Sequence, residues 1–176
     1  MTVVFSATAL ACSLLLSAHQ PAYAENTATS ERQLTKLIEK FQEAIHKKDT
    51  AGFMELFVRE DVTWTVAYTD ASVDRYNASR KDPKEPLATR VQTGGSPRKF
   101  IEGIAKAKMP QSERFSNVHI DTDGHVAHVW FDYTFMVGDY KSAWGKESWQ
   151  VVRTEAGWKI AAVTWSAEEN PVPPEV

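Results

Sequence analysis

The side chains able to do chemistry in this chain are few and unevenly placed. Four of its five histidines lie beyond residue 24: His46, His119, His125 and His128. His119 and His128 flank an Asp123-Gly124 turn, with Asp121 and Asp132 nearby in sequence. Neutral imidazoles beside a carboxylate suit zinc or copper. Cross-strand histidines on an exposed face are usually plain surface pairs, and no ligand motif precedes these. No metal or other cofactor is therefore expected. The single cysteine, Cys12, lies near the N-terminus, so the rest of the chain has no thiol nucleophile, disulfide or Cys-based zinc site. The stronger signal is aromatic. Trp64, Tyr68, Phe131, Tyr133 and Phe135 fall at alternating positions of strand-like segments, and Phe41 lies on a helical stripe. Aromatics supply core area and also line apolar ligand pockets. Tyr133 brings the one inward polar tip on its strand, and a buried Tyr hydroxyl needs a partner.

These residues must be positioned by helices and strands. Residues 30–48 read as an amphipathic helix whose stripe is Leu34, Leu37, Ile38, Phe41, Ala44 and Ile45, with Ser30 and Gln33 as a capping box. Asp49 or Thr50 caps a shorter helix carrying Phe53, Met54, Leu56 and Phe57. Residues 62–68 alternate as a half-buried strand, with Val62, Trp64, Val66 and Tyr68 on one face. A polar stretch, residues 70–95, reads as a long loop, either a lid or a disordered insertion. Ser96 and Pro97 then open a third helix. Strands fill the remainder, from residue 115 onward. Taking Asp123-Gly124 as a two-residue hairpin sets His119 opposite His128. It puts Val118, Ile120, Ala127, Val129, Phe131, Tyr133 and Phe135 on the core face. Two more strands span about 146–154 and 157–166. The order predicts an α+β domain: three N-terminal helices packed on a twisted, mainly antiparallel sheet.

Residues 1–24 contain no Asp, Glu, Lys or Arg. An apolar run from Thr8 to Ala18 is followed by Pro21 and by Ala22-Tyr23-Ala24, a small-x-small cleavage pattern. This reads as a signal peptide, with a domain over 25–170 and an extended tail over 171–176. Periplasmic or secreted location follows, with no membrane attachment after cleavage. The formal net charge is −3 with both signs interspersed, so nucleic acid is not an expected partner.

The element order and several strings resemble the nuclear-transport-factor-2-like superfamily, in particular its SnoaL-like members. The strings are Phe41-Gln42-Glu43-Ala44 through Lys48-Asp49, Phe53 to Phe57, and Asp61-Val62-Thr63-Trp64. Further along are Val126 to Thr134, Gly145-Lys146, and Gly157-Trp158-Lys159-Ile160 running to Trp165-Ser166. The resemblance implies that the sheet is strongly curved and forms a cone with an internal pocket, whose interior holds Phe41, Trp64, Tyr68, Phe131, Tyr133, Phe135 and Thr164 as ligand-binding residues. Thr164 stands where many members carry a His. The superfamily includes isomerases, dehydratases, epoxide hydrolases and binding domains, so the fold leaves the activity open. Ketosteroid isomerases of this group use a helix Tyr and a strand Asp. Here those positions are nearest to Phe41 and to Thr65 or Val66, so that chemistry is not expected. The epoxide hydrolases' Asp-Arg-Asp relay has no clear counterpart, and the histidines fall outside the interior. Glu147 and Asp132 enter the interior only if the strand faces shift by one residue. The expectation is therefore binding of a small apolar or amphipathic molecule. A cofactor-free lyase or isomerase, or a dimeric interaction module without a ligand, are the alternatives. The resemblance also implies a homodimer through the outer sheet face, using His128, Trp130 and Trp165.

Overall fold

The long helix of this chain carries one apolar stripe, and a sheet wraps around it. A computed structural model describes residues 20–174. Helix α1 spans Gln20–Lys47 and α2 spans Thr50–Met54. Strand β1 (Thr63–Tyr68), helix α3 (Asp70–Ser79), strand β2 (Val91–Gln92) and helix α4 (Pro97–Lys106) follow. The chain closes with β3 (Gln111–Thr122), β4 (Val126–Val137), β5 (Tyr140–Thr154) and β6 (Gly157–Glu169). The six strands form one mixed sheet in the order β2-β1-β6-β5-β4-β3. β1 runs parallel to β6, and every other pairing is antiparallel. This is the α+β cone expected from the sequence, with the sheet left open between β2 and β3. Among the described residues no helix is long and apolar enough to cross a membrane.

The helical stripe is the core. Leu34, Leu37, Ile38, Phe41, Ala44 and Ile45 are all buried. Each large side chain so buried stabilises by about 1.5–3 kcal/mol. Phe41 lies 4.7 Å from the Trp149 ring and 4.8 Å from Phe53, so α1, α2 and β5 meet at one aromatic contact. Asp49 caps α2 by accepting the Gly52 amide at 2.9 Å. Ser96 caps α4 by accepting the Lys99 amide at 3.2 Å, with Pro97 at the first position. Ser30 does not cap α1. It lies inside the helix and is buried. The leader reading falls largely on residues 1–19, which lie outside the described residues.

The stretch read as a loop, 70–95, holds α3 and β2. Its helix buries little apolar surface, which is why periodicity misses it. Caps and ion pairs hold it instead. The Thr69 hydroxyl accepts the Ser72 amide, and Arg75 reaches Glu168 on β6 at 2.5 Å. Asn77 exchanges hydrogen bonds with Ala88, closing the segment back on the helix. Val91 and Gln92 then pair with Ala67 and Val66 of β1.

The hairpin register also differs from the two-residue expectation. Thr122 pairs with Ala127, so His119 faces Trp130 and not His128. The Asp123 carboxylate accepts the amides of His125 and Val126, which lengthens the turn. Farther along β3 the pairing shifts between Ser116 and His119, with Asn117 at φ 51°. That β-bulge moves Val118 out to 41% exposure.

Tyr133 reaches from β4 across β5 at Gly145 and donates its hydroxyl to the Ser166 carbonyl on β6 at 3.0 Å. The Ser166 hydroxyl accepts the Lys146 amide at 3.0 Å. A Cβ on residue 145 would stand 2.1 Å from the Ser166 carbonyl oxygen, so only glycine fits. Gly145→Ala is expected to destabilise the protein by about 2–3 kcal/mol, in the range of other overpacked sites. Gly157→Ala, with a φ of +96° but open space around it, should cost about 1 kcal/mol. Urea midpoints measure both, and a Gly145 variant no worse than the Gly157 variant contradicts the close approach.

Candidate functional site

A cavity of about 150 Å³ opens inside the cone, lined by residues of α1, α4 and five strands. Phe41, Trp64, Phe100, Phe135 and Trp165 make its apolar wall. Trp64 stands 5.3 Å from Trp165 and 5.4 Å from Phe100, so the rings form a continuous surface. Tyr68 and Tyr133 add hydroxyls, and Glu113, Glu147 and Glu169 add carboxyls. A cavity of this size holds about one aromatic ring. A larger open groove of about 590 Å³ lies outside, between α1, α2 and the β5–β6 turn. Its walls include four lysines, three glutamates and Arg153, and it contains no buried ionisable group.

The inner carboxyls define the chemistry. Glu113 on β3 is 7% exposed and Glu147 on β5 is 4% exposed. Glu147 shares a strand face with Trp149 and Val151. It accepts the Trp149 indole N–H at 2.5 Å. Desolvation pushes its pKa up to about 7, and the indole bond partly opposes the rise. Glu113 lies two residues from Phe115 on the same face of β3. Its backbone carbonyl accepts from Gln42, but its carboxyl has no hydrogen bond or ion pair among the described residues. Burial raises its pKa well above the usual carboxylate range, and the Glu147 charge adds to the rise. The two titrate as a pair. Burial and the neighbouring charge both favour the protonated form of Glu113, while Glu147 ionises around 7.

The structure distributes the sequence-derived site residues unevenly. Phe41, Trp64, Tyr68, Tyr133 and Phe135 line the cavity. Phe131 does not. It is fully buried beneath the wall, 4.1 Å from Phe115 and 5.1 Å from Trp149. Thr164 is exposed and pairs with Ser148 on the outer face. Trp165 takes the inner place that was expected of Thr164, and so it is absent from the outer face. The cause is a β-bulge. Gln150 pairs with Ala162 but Val151 pairs with Ile160, leaving Ala161 extra. Alternation therefore changes from Trp158 and Ile160 inward to Val163, Trp165 and Ala167 inward. Trp130 stays outside at 40% exposure, beside His128 at 6.3 Å. Asp132 also stays outside, paired with Lys146 and accepting from Asn117. The Tyr133 hydroxyl proton is committed to Ser166, leaving only its lone pairs for a ligand.

Glu147 and Glu113 were not assigned from sequence. Period-two counting back from Trp149 gives the first. Counting back from Phe115 gives the second, once β3 is extended to Gln111. Among the described residues no cluster of three or more His, Cys, Asp or Glu is arranged to hold a metal.

No family model and no curated protein matches this chain by sequence. Solved structures do match. One is an NTF2-like protein with a cystatin-like fold from Novosphingobium aromaticivorans, at TM-score 0.58 and 12% identity, covering 86% of this chain and 90% of that one. Another is a proposed scytalone dehydratase from the same species, at TM-score 0.57 and 17% identity, covering 85% and 93%. A third is a proposed dehydratase of the NTF2-like family from Streptomyces avermitilis, at TM-score 0.53 and 16% identity, covering 80% and 97%. The chain has the NTF2-like fold.

The buried pair makes stability depend on pH. Unfolded, Glu147 loses its proton near its ordinary pKa of about 4.5, while the folded form keeps it until about 7. The unfolded state therefore binds fewer protons between those values, and stability falls as pH rises through that window. The shift corresponds to roughly 3 kcal/mol at about 1.4 kcal/mol per pH unit. Glu147→Gln keeps an acceptor for the Trp149 indole and removes the titration. Urea unfolding is expected to show the variant matching the parent near pH 4 and exceeding it by roughly 2–3 kcal/mol at pH 8. Equal differences at both pH values contradict the assignment.

Proposed function

We propose that the cone binds a small amphipathic molecule of about one ring and moves a proton on it, as a cofactor-free lyase. The observation that carries the reading is Glu113. Glu113 is 7% exposed as a residue, and its carboxyl, without a protein partner, lines a cavity beside a second carboxyl, which is unfavourable as pure structure. It fits a group reserved for a ligand. Perturbed carboxyls of this kind concentrate at functional sites.

Two of the similar structures are described as proposed dehydratases. Loss of water from a β-hydroxy carbonyl compound needs a base for the α C–H and an acid for the departing hydroxyl. Glu147 as carboxylate takes the α proton, the C–C double bond forms, and the C–O bond breaks. Glu113 gives its proton to the hydroxyl, which leaves as water. Glu147 then releases its gained proton to solvent and Glu113 takes one back. The aromatic wall excludes water and holds the ring, and the Tyr133 oxygen is placed to accept a hydrogen bond from a ligand hydroxyl.

A probe sized to the cavity tests this. 3-Hydroxycyclohexanone loses water to give cyclohexenone, followed by its ultraviolet absorbance. The protein is expected to speed the reaction over buffer. Glu147→Gln and Glu113→Gln should each lower the rate by roughly 10²-fold, the usual worth of one acid or base. The rate should rise with pH through about 7, where Glu147 ionises, and fall again where Glu113 loses its proton. A rate equal in the parent and in the double variant refutes the lyase reading and leaves a binding protein.

We also propose that the chain is exported. The support is the uncharged leader ending in Ala22-Tyr23-Ala24. Expressed with its leader in a Gram-negative host, the periplasmic protein is expected to begin at Glu25, as read by intact mass. Recovery of uncleaved chain in the cytoplasm contradicts it.

A further inference from the structure

The ligand cavity has a neighbour. A second cavity of about 190 Å³ lies between the end of β1, helix α3 and the segment leading into β2. The two cavities share Tyr68 and Glu169 as wall residues. The second is the more polar, with Ser72, Tyr76, Thr89 and Gln92 among its walls. Tyr68 and Glu169 therefore stand at the junction of the two cavities.

The charge along that path has one sign. Among the described residues no Lys, Arg or His lines either cavity, whereas Glu113, Glu147 and Glu169 all do. The nearest cations on this side are already engaged. Arg75 is tied to Glu168 at 2.5 Å and to the Glu169 carbonyl at 2.7 Å, and Arg90 pairs with Asp70. The Glu169 carboxylate makes no ion pair or hydrogen bond among the described residues. Its charge is felt at Tyr68, whose pKa rises through burial first and that carboxylate second. Rings of Trp64, Trp165 and Tyr68 stand on the inner side of the junction. An aromatic face beside a carboxylate attracts a cation through both the ring quadrupole and the charge.

We infer that the ligand is an organic cation, with its apolar part in the aromatic cavity and a protonated or quaternary amine at the Tyr68–Glu169 junction. This rests on the cone cavity being a ligand site. It adds the substrate class: amines enter and carboxylates, sulfonates and phosphates do not. Glu147, once ionised, makes anions unwelcome farther in.

Three probes of one shape test it. Benzyltrimethylammonium, neopentylbenzene and phenylmethanesulfonate share a benzyl group, and the first two differ chiefly in charge. Binding is followed by amide chemical-shift titration of the parent protein and of Glu169→Gln. The ammonium probe is expected to bind at least tenfold tighter than neopentylbenzene, with no saturation by the sulfonate. Glu169→Gln should cut that preference to threefold or less while leaving neopentylbenzene unchanged. Equal binding of the charged and neutral probes overturns the cation inference and keeps the cavity as a ligand site. A preference that survives Glu169→Gln also overturns it, since the junction is then not its source. Failure of all three to bind overturns both the inference and the ligand-site reading beneath it.

Discussion

A sheet that wraps around a single helix has to bend, and here the bending is concentrated at three breaks in the strand pairing. They fall at Ser116–His119 in β3, at Phe135–Met136 against β5, and at Gln150–Val151 against β6. Each inserts one residue into a strand, and one inserted residue exchanges the faces beyond it. The consequences run through the whole interior. The break in β6 turns Trp165 into the cavity and Thr164 out of it. The break in β3 lets Glu113 and Phe115 point inward on one side of Asn117 and Ile120 on the other. An unbroken sheet of the same sequence would put a different set of groups around Phe41.

The cone is also tied where it would otherwise splay. Between Trp144 and Glu147 the β5–β6 ladder is interrupted without a change of register. Side chains fill the gap: Tyr133 bonds the Ser166 carbonyl and the Ser166 hydroxyl takes the Lys146 amide. Those bonds sit at the cavity, beside Ala143, Ala167 and Glu147. Satisfying the backbone there with side chains leaves small residues facing inward, so space remains. The same tie removes the Tyr133 proton from any ligand, which shifts the site's proton chemistry onto the carboxyls.

Much of this was open to the sequence, because some signals are local. The stripe from Leu34 to Ile45 gave α1, and Ser96-Pro97 gave the start of α4. Alternation gave the inner face of β1 and of β4. Other features depend on distant partners. Helix α3 buries almost no apolar side chain and is held by Arg75 to Glu168 across 93 residues, so no window of sequence contains its cause. The bulge at Ala161 carries no Gly, Pro or Asn to mark it, and Thr164 and Trp165 were exchanged for that reason. Glu147 is different. From sequence it was admitted to the interior only with a one-residue shift of the strand faces, whereas its parity with Trp149 and Val151 puts it there. Glu113 was hidden by starting β3 four residues late.

The two buried carboxyls are not equivalent, and the difference separates a structural account from a functional one. Glu147 has a donor in the Trp149 indole, so a structural role is open to it: it satisfies a buried N–H that would otherwise be costly. A glutamine would do that as well, without the penalty of a charge. Glu113 satisfies nothing through its carboxyl, and an apolar side chain of similar volume would suit the site better for stability. A fold selected only for stability would retain neither acid. Together they make an ordered pair, one carboxyl favoured as the anion by a donor and one favoured as the acid by its absence. That asymmetry, in an aromatic enclosure wide enough for a single ring, is what proton transfer between two points on a small molecule requires.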